Sequence, residues 1–343
     1  MRPHYFFGSV TRTSDLWNEP FEVDKIPMAH WSTGDFVVGR VIGKRNRLFR
    51  CETKTGRMAE LVRGDLMVGA LGRREATLEG VGDWRAIGDK MEMETLTSAG
   101  LLGRATSISP LLPDLMRLKY KGHVTRNGVK LGMKNFISPV AYQALTIPVI
   151  MIIGTSMSAG KTSSGQVIIR ALKYLGFNVA ASKLTGAARY QDILSFRDAG
   201  ANSVFDFVDA GLPSTVCPEE EFRDALQLIF SKVMASGADV LVAEAGASPL
   251  EPYNGAVAVE SVGELTRMTV LCASDPYAVL GVQNAFGDGL RADLVTGPAA
   301  NTEAAVNLVR ELTGLTAINL LDRSTYPALT QMLRKAMRLD CSS

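Results

Sequence analysis

The chain has 343 residues, 46% hydrophobic and 21% charged, with a formal net charge of +2. That is enough material for two domains with real cores, and it excludes a disordered chain. The apolar run Ile147–Ile153, interrupted by Pro148, falls far short of the roughly 18–20 residues a membrane helix needs, and the start MRPHYFFGSV is too short in apolar length for a secretory signal, so a soluble, cytoplasmic protein is expected.

Taken in chain order, the first 145 residues read as short strands, a mainly-β domain. Thr33-Gly34-Asp35-Phe36-Val37-Val38-Gly39-Arg40-Val41 is echoed by Arg63-Gly64-Asp65-Leu66-Met67-Val68-Gly69. In each copy Gly-Asp supplies a turn ahead of β-prone residues, which predicts similar hairpin units in a small barrel or sandwich. Two unrelated strand entries would look the same. From Ala99 to Tyr120 the leucines, broken by Pro110 and Pro113, predict a helical or irregular connector. Asn127-Gly128 marks a tight hairpin.

After a boundary near residues 140–147 the rhythm becomes strand then helix, predicting a second domain over 146–343. Strands are predicted at 148–153, 178–182, 239–243, 268–273, 294–296 and 317–320, and helices at 161–175, 219–236 and 302–312. Continuous Val/Ile/Leu strands alternating with helices predict an α/β domain with a parallel sheet covered on both faces. Ligands of such sheets bind at the carboxyl ends of the strands.

The strongest signal is Ile152-Ile153-Gly154-Thr155-Ser156-Met157-Ser158-Ala159-Gly160-Lys161-Thr162-Ser163. An apolar strand enters a loop of small residues, then Gly-Lys-Thr, then a helix. Loop amides and the positive end of the helix cradle phosphate oxygens in such an arrangement. The residues expected to hold the phosphates are Gly154, Thr155, Ser156, Ser158, Ala159, Gly160, Lys161, Thr162 and Ser163. Lys161 offers its ammonium to the β/γ-phosphates, and the Thr162 hydroxyl is a Mg²⁺ ligand. The usual spacing would place the first glycine at 155, where this chain has Thr155, with Gly154 one residue earlier. An unrelated glycine turn is the alternative.

That offset, Gly-Thr, four residues, then Gly-Lys-Thr, resembles the loop of dethiobiotin synthetase and of related cobyrinic acid amidating synthetases, members of the SIMIBI class of P-loop NTPases. Asp239-Val-Leu-Val-Ala-Glu244-Ala-Gly246 resembles the strand of that family that ends in a glutamate before a small-residue turn. The resemblance implies that Glu244 coordinates Mg²⁺, with a cap as its alternative. It also implies that Lys183, ending Ala180-Ala181-Ser182-Lys183, assists substrate and transferred phosphate, with a surface lysine at a loop start as its alternative. Asp192, ahead of Asp198, is implied as a further metal ligand. The likeness spans roughly 148–321. Asp198-Ala-Gly-Ala and Asp206-Phe207-Val208-Asp209-Ala210-Gly211 also resemble the D-glutamate N-acetyltransferase family, which has its own amino-terminal domain ahead of a P-loop.

Other features limit the possibilities. Cys51, Cys217, Cys272 and Cys341 lie far apart without a C-x-x-C pair, which argues against a disulfide framework or zinc site. His4, His30 and His123 all precede the loop, so packed or surface imidazoles are expected. Ser156 stands where the partitioning-type ATPases carry a second lysine, which disfavours their mechanism. Asn301 is a purine contact or a helix cap, the cap preferred. Residues 1–145 carry 22 basic and 15 acidic residues and the rest 15 and 20. No basic run or aromatic-and-basic face marks a nucleic-acid module. Arg73-Arg74 reads as a solvated turn, with an anion contact as the alternative.

The resemblance implies an enzyme that uses ATP and Mg²⁺ to activate a carboxylate by phosphoryl transfer, as a ligase or kinase acting on a small carboxylate or amino-acid-like substrate. A homo-oligomer, in the simplest case a dimer, is expected, with no nucleic-acid or membrane partner. Two alternatives stay open. One is an N-acyltransferase whose loop binds the phosphates of acyl-CoA, and the other is a nucleotide-dependent regulatory switch.

Overall fold

The computed structural model describes residues 4–43, 50–246, 248–286 and 291–339; Cys341 lies outside them. They fall into two compact units. The first comprises 1–139 with 186–191 and 207–225, the second 140–185, 192–206 and 226–343. The expected division at 145 therefore lies beyond the first break, and the second unit is not one continuous stretch. Residues after two strand ends of the second unit pack with the first, an arrangement that composition along the chain does not reveal.

In the first unit, the strands Leu66–Leu71, Phe36–Val41, Arg117–Arg126, Glu92–Thr95 and Leu101–Ile108 pair in that order, and the last returns to pair with the first. Five strands thus close on themselves as a small barrel, which leaves none of the five as a free edge. The two Gly-Asp repeats become direct antiparallel neighbours, with Phe36 opposite Ala70 and Val38 opposite Val68. Their glycines, Gly34 and Gly64, hold φ of +86° and +102°, a backbone setting that disfavours side chains. Val37, Val41, Met67, Leu71, Met93, Leu102 and Leu118 fill the interior. Asn127 and Gly128 form the expected tight turn, with φ of +53° and +73°, joining Thr125 to Lys130 in register.

The connector expected over 99–120 is instead two barrel strands, Leu101–Ile108 and the start of Arg117–Arg126. The first runs from fully buried Leu101 to exposed Ser107, so it never shows the in–out alternation that marks a strand. Arg74 is buried and bonded to Glu79 and to the Leu96 carbonyl, and Arg73 pairs with Glu75 and Asp83; neither is a solvated turn.

The second unit holds six parallel strands: β1 (Val149–Gly154), β2 (Val179–Thr185), β3 (Ser203–Asp206), β4 (Val240–Ala245), β5 (Thr266–Cys272) and β6 (Leu294–Thr296). Their order across the sheet is β3-β2-β4-β1-β5-β6. Every residue of β1, β2 and β4 is buried, as both faces of a helix-covered parallel sheet require. The helices are α1 (Lys161–Tyr174), α2 (Tyr190–Asp198), α3 (Glu219–Ala235), α4 (Gly255–Ser261), α5 (Pro276–Phe286), α6 (Glu303–Thr313) and α7 (Tyr326–Ala336). Sequence reading gave no strand at β3 and no element at α4, α5 and α7. Conversely, the strand expected at 317–320 is only an isolated bridge from Ala317 to Val295. No helix among the described residues is long and apolar enough to cross a membrane.

Candidate phosphate-binding site

Strand β1 lies between β4 and β5, and its carboxyl end opens into the loop 155–160 that leads to α1. The loop is held from both sides. Thr155 donates its amide to the Cys272 carbonyl at 3.0 Å and accepts the Ser274 amide on Oγ1 at 3.1 Å. Gly160 enters α1 at φ +91° and ψ +16°, and no side chain caps the helix. A helix start without a side-chain cap leaves its first-turn amides for a ligand. Ser158 and Ser163 are exposed beside it, whereas Ala159 is buried.

Lys161, only 3% exposed, folds back over the loop, and its Nζ donates to the Ser156 carbonyl at 2.6 Å. This explains the displaced glycine. A Cβ at position 154 would stand 2.9 Å from both Cδ and Nζ of Lys161, so a side chain there would require the lysine stem to shift. Position 155 faces Ser274 and carries a threonine without conflict.

Register then sets a row of charges across the sheet. Asp206 on β3 is paired with Lys183 on β2, Lys183 with Glu244 on β4, and Glu244 with Ile152 on β1. All three charged residues are buried. Burial alone would lower the Lys183 ammonium, but the carboxylates of Asp192, Glu244 and Asp206 outweigh it and hold its pKa above the ordinary lysine value. For Lys161, burial prevails over the attraction of Glu244, and its pKa is lowered. Burial likewise raises the Glu244 carboxyl against the pull of Lys183 and Lys161.

The Thr162 hydroxyl donates to Glu244 Oε2 at 3.1 Å, so the two expected metal ligands from α1 and β4 meet. A hydroxyl beside a carboxylate is a hard oxygen set, and Mg²⁺ characteristically takes one or two such protein ligands, completing its shell with phosphate and water. The residues present fit the ion. The Asp192 carboxylate is bonded to Lys183, and its charge also acts on Glu244, helping to raise that carboxyl. Among the described residues no group of three His, Cys, Asp or Glu side chains could hold a metal.

Sequence reasoning missed several residues that shape the site. Asp206 went unassigned because β3 is four residues long and runs directly into a short helical turn at Phe207–Ala210. Gly297, at φ +84°, lies under the loop: a Cβ there would stand 2.3 Å from the Ala159 carbonyl. A Cβ at Gly246 would stand 2.2 Å from the Thr185 carbonyl. Asn301 does not cap α6; Thr302 does, accepting the Ala305 amide at 3.2 Å.

No family model and no curated protein matches the chain. Among solved structures, FtsY from Mycoplasma mycoides aligns with a TM-score of 0.38 at 12% identity, covering 56% of this chain and 70% of that one. HypB from Helicobacter pylori, in complex with nickel, gives 0.39 at 17% identity over 57% and 90% of the two chains. A DUF1611 family protein from Anabaena variabilis gives 0.36 at 16% identity over 58% and 60%. The second unit combines the strand order β3-β2-β4-β1-β5-β6 with a strand–loop–helix that opens on Gly-Lys-Thr. On those grounds the second unit has a P-loop NTPase-type α/β fold, preceded by a mainly-β barrel domain.

Proposed function

We propose that the chain binds ATP with Mg²⁺ and transfers the γ-phosphoryl group to a small carboxylate. The observation that carries this reading is the buried row Asp206–Lys183–Glu244, set beside a phosphate-type loop whose lysine is already in place. Phosphoryl transfer asks a protein for positioning and neutralisation of charge rather than for an acid–base pair.

The loop amides and Lys161 would hold the polyphosphate, with Lys161 exchanging the Ser156 carbonyl for phosphate oxygen. Anionic oxygens there reverse the cost of burying that ammonium. Thr162 and Glu244 would hold Mg²⁺, which supplies charge neutralisation between phosphate oxygens. Lys183, kept protonated by its carboxylate neighbours, is suited to a fixed charge on the transferred group and unsuited to be a base. In the transfer, an oxygen of the acceptor carboxylate bonds to the γ-phosphorus as the bridging P–O bond breaks. ADP leaves with that electron pair, and an acyl phosphate remains.

Hydroxylamine trapping tests this directly. A panel of small carboxylates and amino acids is incubated with ATP, Mg²⁺ and hydroxylamine, and hydroxamate is assayed against ADP release. Hydroxamate formed in step with ADP and lost in Lys183→Ala is expected. Stabilisation by acetyl-CoA without nucleotide turnover would replace this reading with the acyltransferase one. ATP binding with neither hydroxamate nor ADP would favour the switch.

A further inference from the structure

Within the second unit, a cavity of about 520 Å³ lies between the sheet and the packed pair α5 and α6. Its floor is Ile153 of β1 and Leu271 of β5, which stand opposite one another in register and so share a face, together with Val279 of α5. All three are at most 2% exposed. Val282 and Leu315 continue the apolar wall. The Gln283 side-chain amide donates to the Thr313 carbonyl at 3.4 Å, tying α5 to the end of α6. Side chains normally fill the space between a helix and a sheet, and lining atoms with no neighbour on one side forfeit dispersion contacts. An apolar guest restores those contacts.

Two polar side chains join this apolar lining. Arg291 and Asn284 both border the cavity, and both are exposed. Among the described residues Arg291 has no ion-pair partner and the Asn284 carboxamide has no hydrogen bond. Arg291 is also the one charged side chain among the described lining residues. Small-molecule sites are of this kind: about 300–1,000 Å³, mostly apolar, with a few polar groups that fix orientation. A guanidinium beside a carboxamide offers N–H donors to a carboxylate. A phosphate monoester, with about −1.5 to −2 charges, would bring more charge than one guanidinium balances.

We propose that this cavity binds a monocarboxylate with an apolar chain, the chain lying on Ile153, Leu271 and Val279 and the carboxylate on Arg291 and Asn284. The place is distinct from the phosphate site. Arg291 precedes the amino end of β6 and Thr313 ends α6, whereas the phosphate loop leaves the carboxyl end of β1. The floor nonetheless reaches the supports of that loop. Ile153 precedes Gly154, and Leu271 precedes Cys272, whose carbonyl accepts the Thr155 amide. An occupant therefore touches both strands that hold the loop.

Isothermal titration of the full chain with butanoate, hexanoate and octanoate tests the proposal, with 1-octanol and octylamine as uncharged and cationic controls. One saturable site is expected, with affinity rising about fourfold for each added methylene. Octanoate should bind about tenfold or more tightly than 1-octanol, the weight of a hydrogen bond to a charged group, and octylamine should not bind. Arg291→Gln is expected to erase the preference for octanoate over 1-octanol while keeping the dependence on chain length. Val282→Phe, which puts a ring into the cavity, is expected to remove binding of both. Arg291 is exposed, so its variant decides the matter even where Val282→Phe does not fold. The proposal is overturned by the absence of a saturable site, by an affinity indifferent to chain length, by octylamine binding as tightly as octanoate, or by an octanoate affinity unchanged in Arg291→Gln. No nucleotide enters this titration, so a negative result leaves the phosphoryl-transfer reading standing, and a chain that fails to bind ATP leaves this site to be decided on its own.

Discussion

At the scale of single residues, the site is governed by where burial leaves charge. Gly154 illustrates how a missing side chain serves a charged one, since the lysine stem occupies the space its Cβ would need. Gly154→Ala is expected to push Lys161 from its place and weaken polyphosphate binding by about tenfold, roughly 1.4 kcal/mol, as read by calorimetry. Glu244 gives a prediction in pH. Its folded pKa is raised, so the protonated form is favoured by folding; that stability is fully present below the unfolded value and is lost as pH rises through the folded one. Glu244→Gln removes the penalty. The variant should match wild type in Tm at acid pH and exceed it increasingly as pH rises through the Glu244 range. A gap that closes with rising pH would contradict the direction assigned to this group.

At the scale of elements, the loop is clamped by its neighbours as well as by its own contacts at Ser156. Thr155 is bonded to residues at and after the end of β5, and Gly297, after β6, lies against Ala159. Gly297 holds φ +84° and ψ −162°, a region open essentially to glycine alone. Gly297→Ala is therefore expected to cost about 1–3 kcal/mol in urea denaturation and to reduce the stabilisation given by ATP with Mg²⁺, because the Ala159 carbonyl must move. Loss of stability with a full ligand response would separate Gly297 from the loop. The strand-to-helix rhythm of β1, α1, β4 and β5 was legible because long apolar strands and Gly/Pro punctuation agree there. Strand β3 was not, since four residues ending in an acidic turn give too short a pattern. The leucines of 101–118 resembled a helix because a barrel strand that passes from core to solvent has no single period.

At the scale of the whole molecule, sequence foresaw the two kinds of architecture but not the interleaving of the chain. The repeat at Gly34 and Gly64 pointed to paired strands, and the pairing of those two strands with each other closes part of the barrel. Of the site, Lys161, Thr162 and Glu244 were legible from spacing and strand ends, and the structure brings Thr162 and Glu244 into contact. The bond between Asp192 and Lys183 was not legible, because it joins a helix start to the end of the preceding strand across a turn that spacing alone does not fix. The central claim is that residues 154–163 cradle a polyphosphate, and isothermal titration of the full chain with ATP and Mg²⁺ tests it most directly. One site is expected in the wild-type chain, with binding lost in Lys161→Ala and retained, at weaker affinity, in Gly154→Ala. Heat of binding that is unchanged in Lys161→Ala, or absent from the wild-type chain, would contradict it.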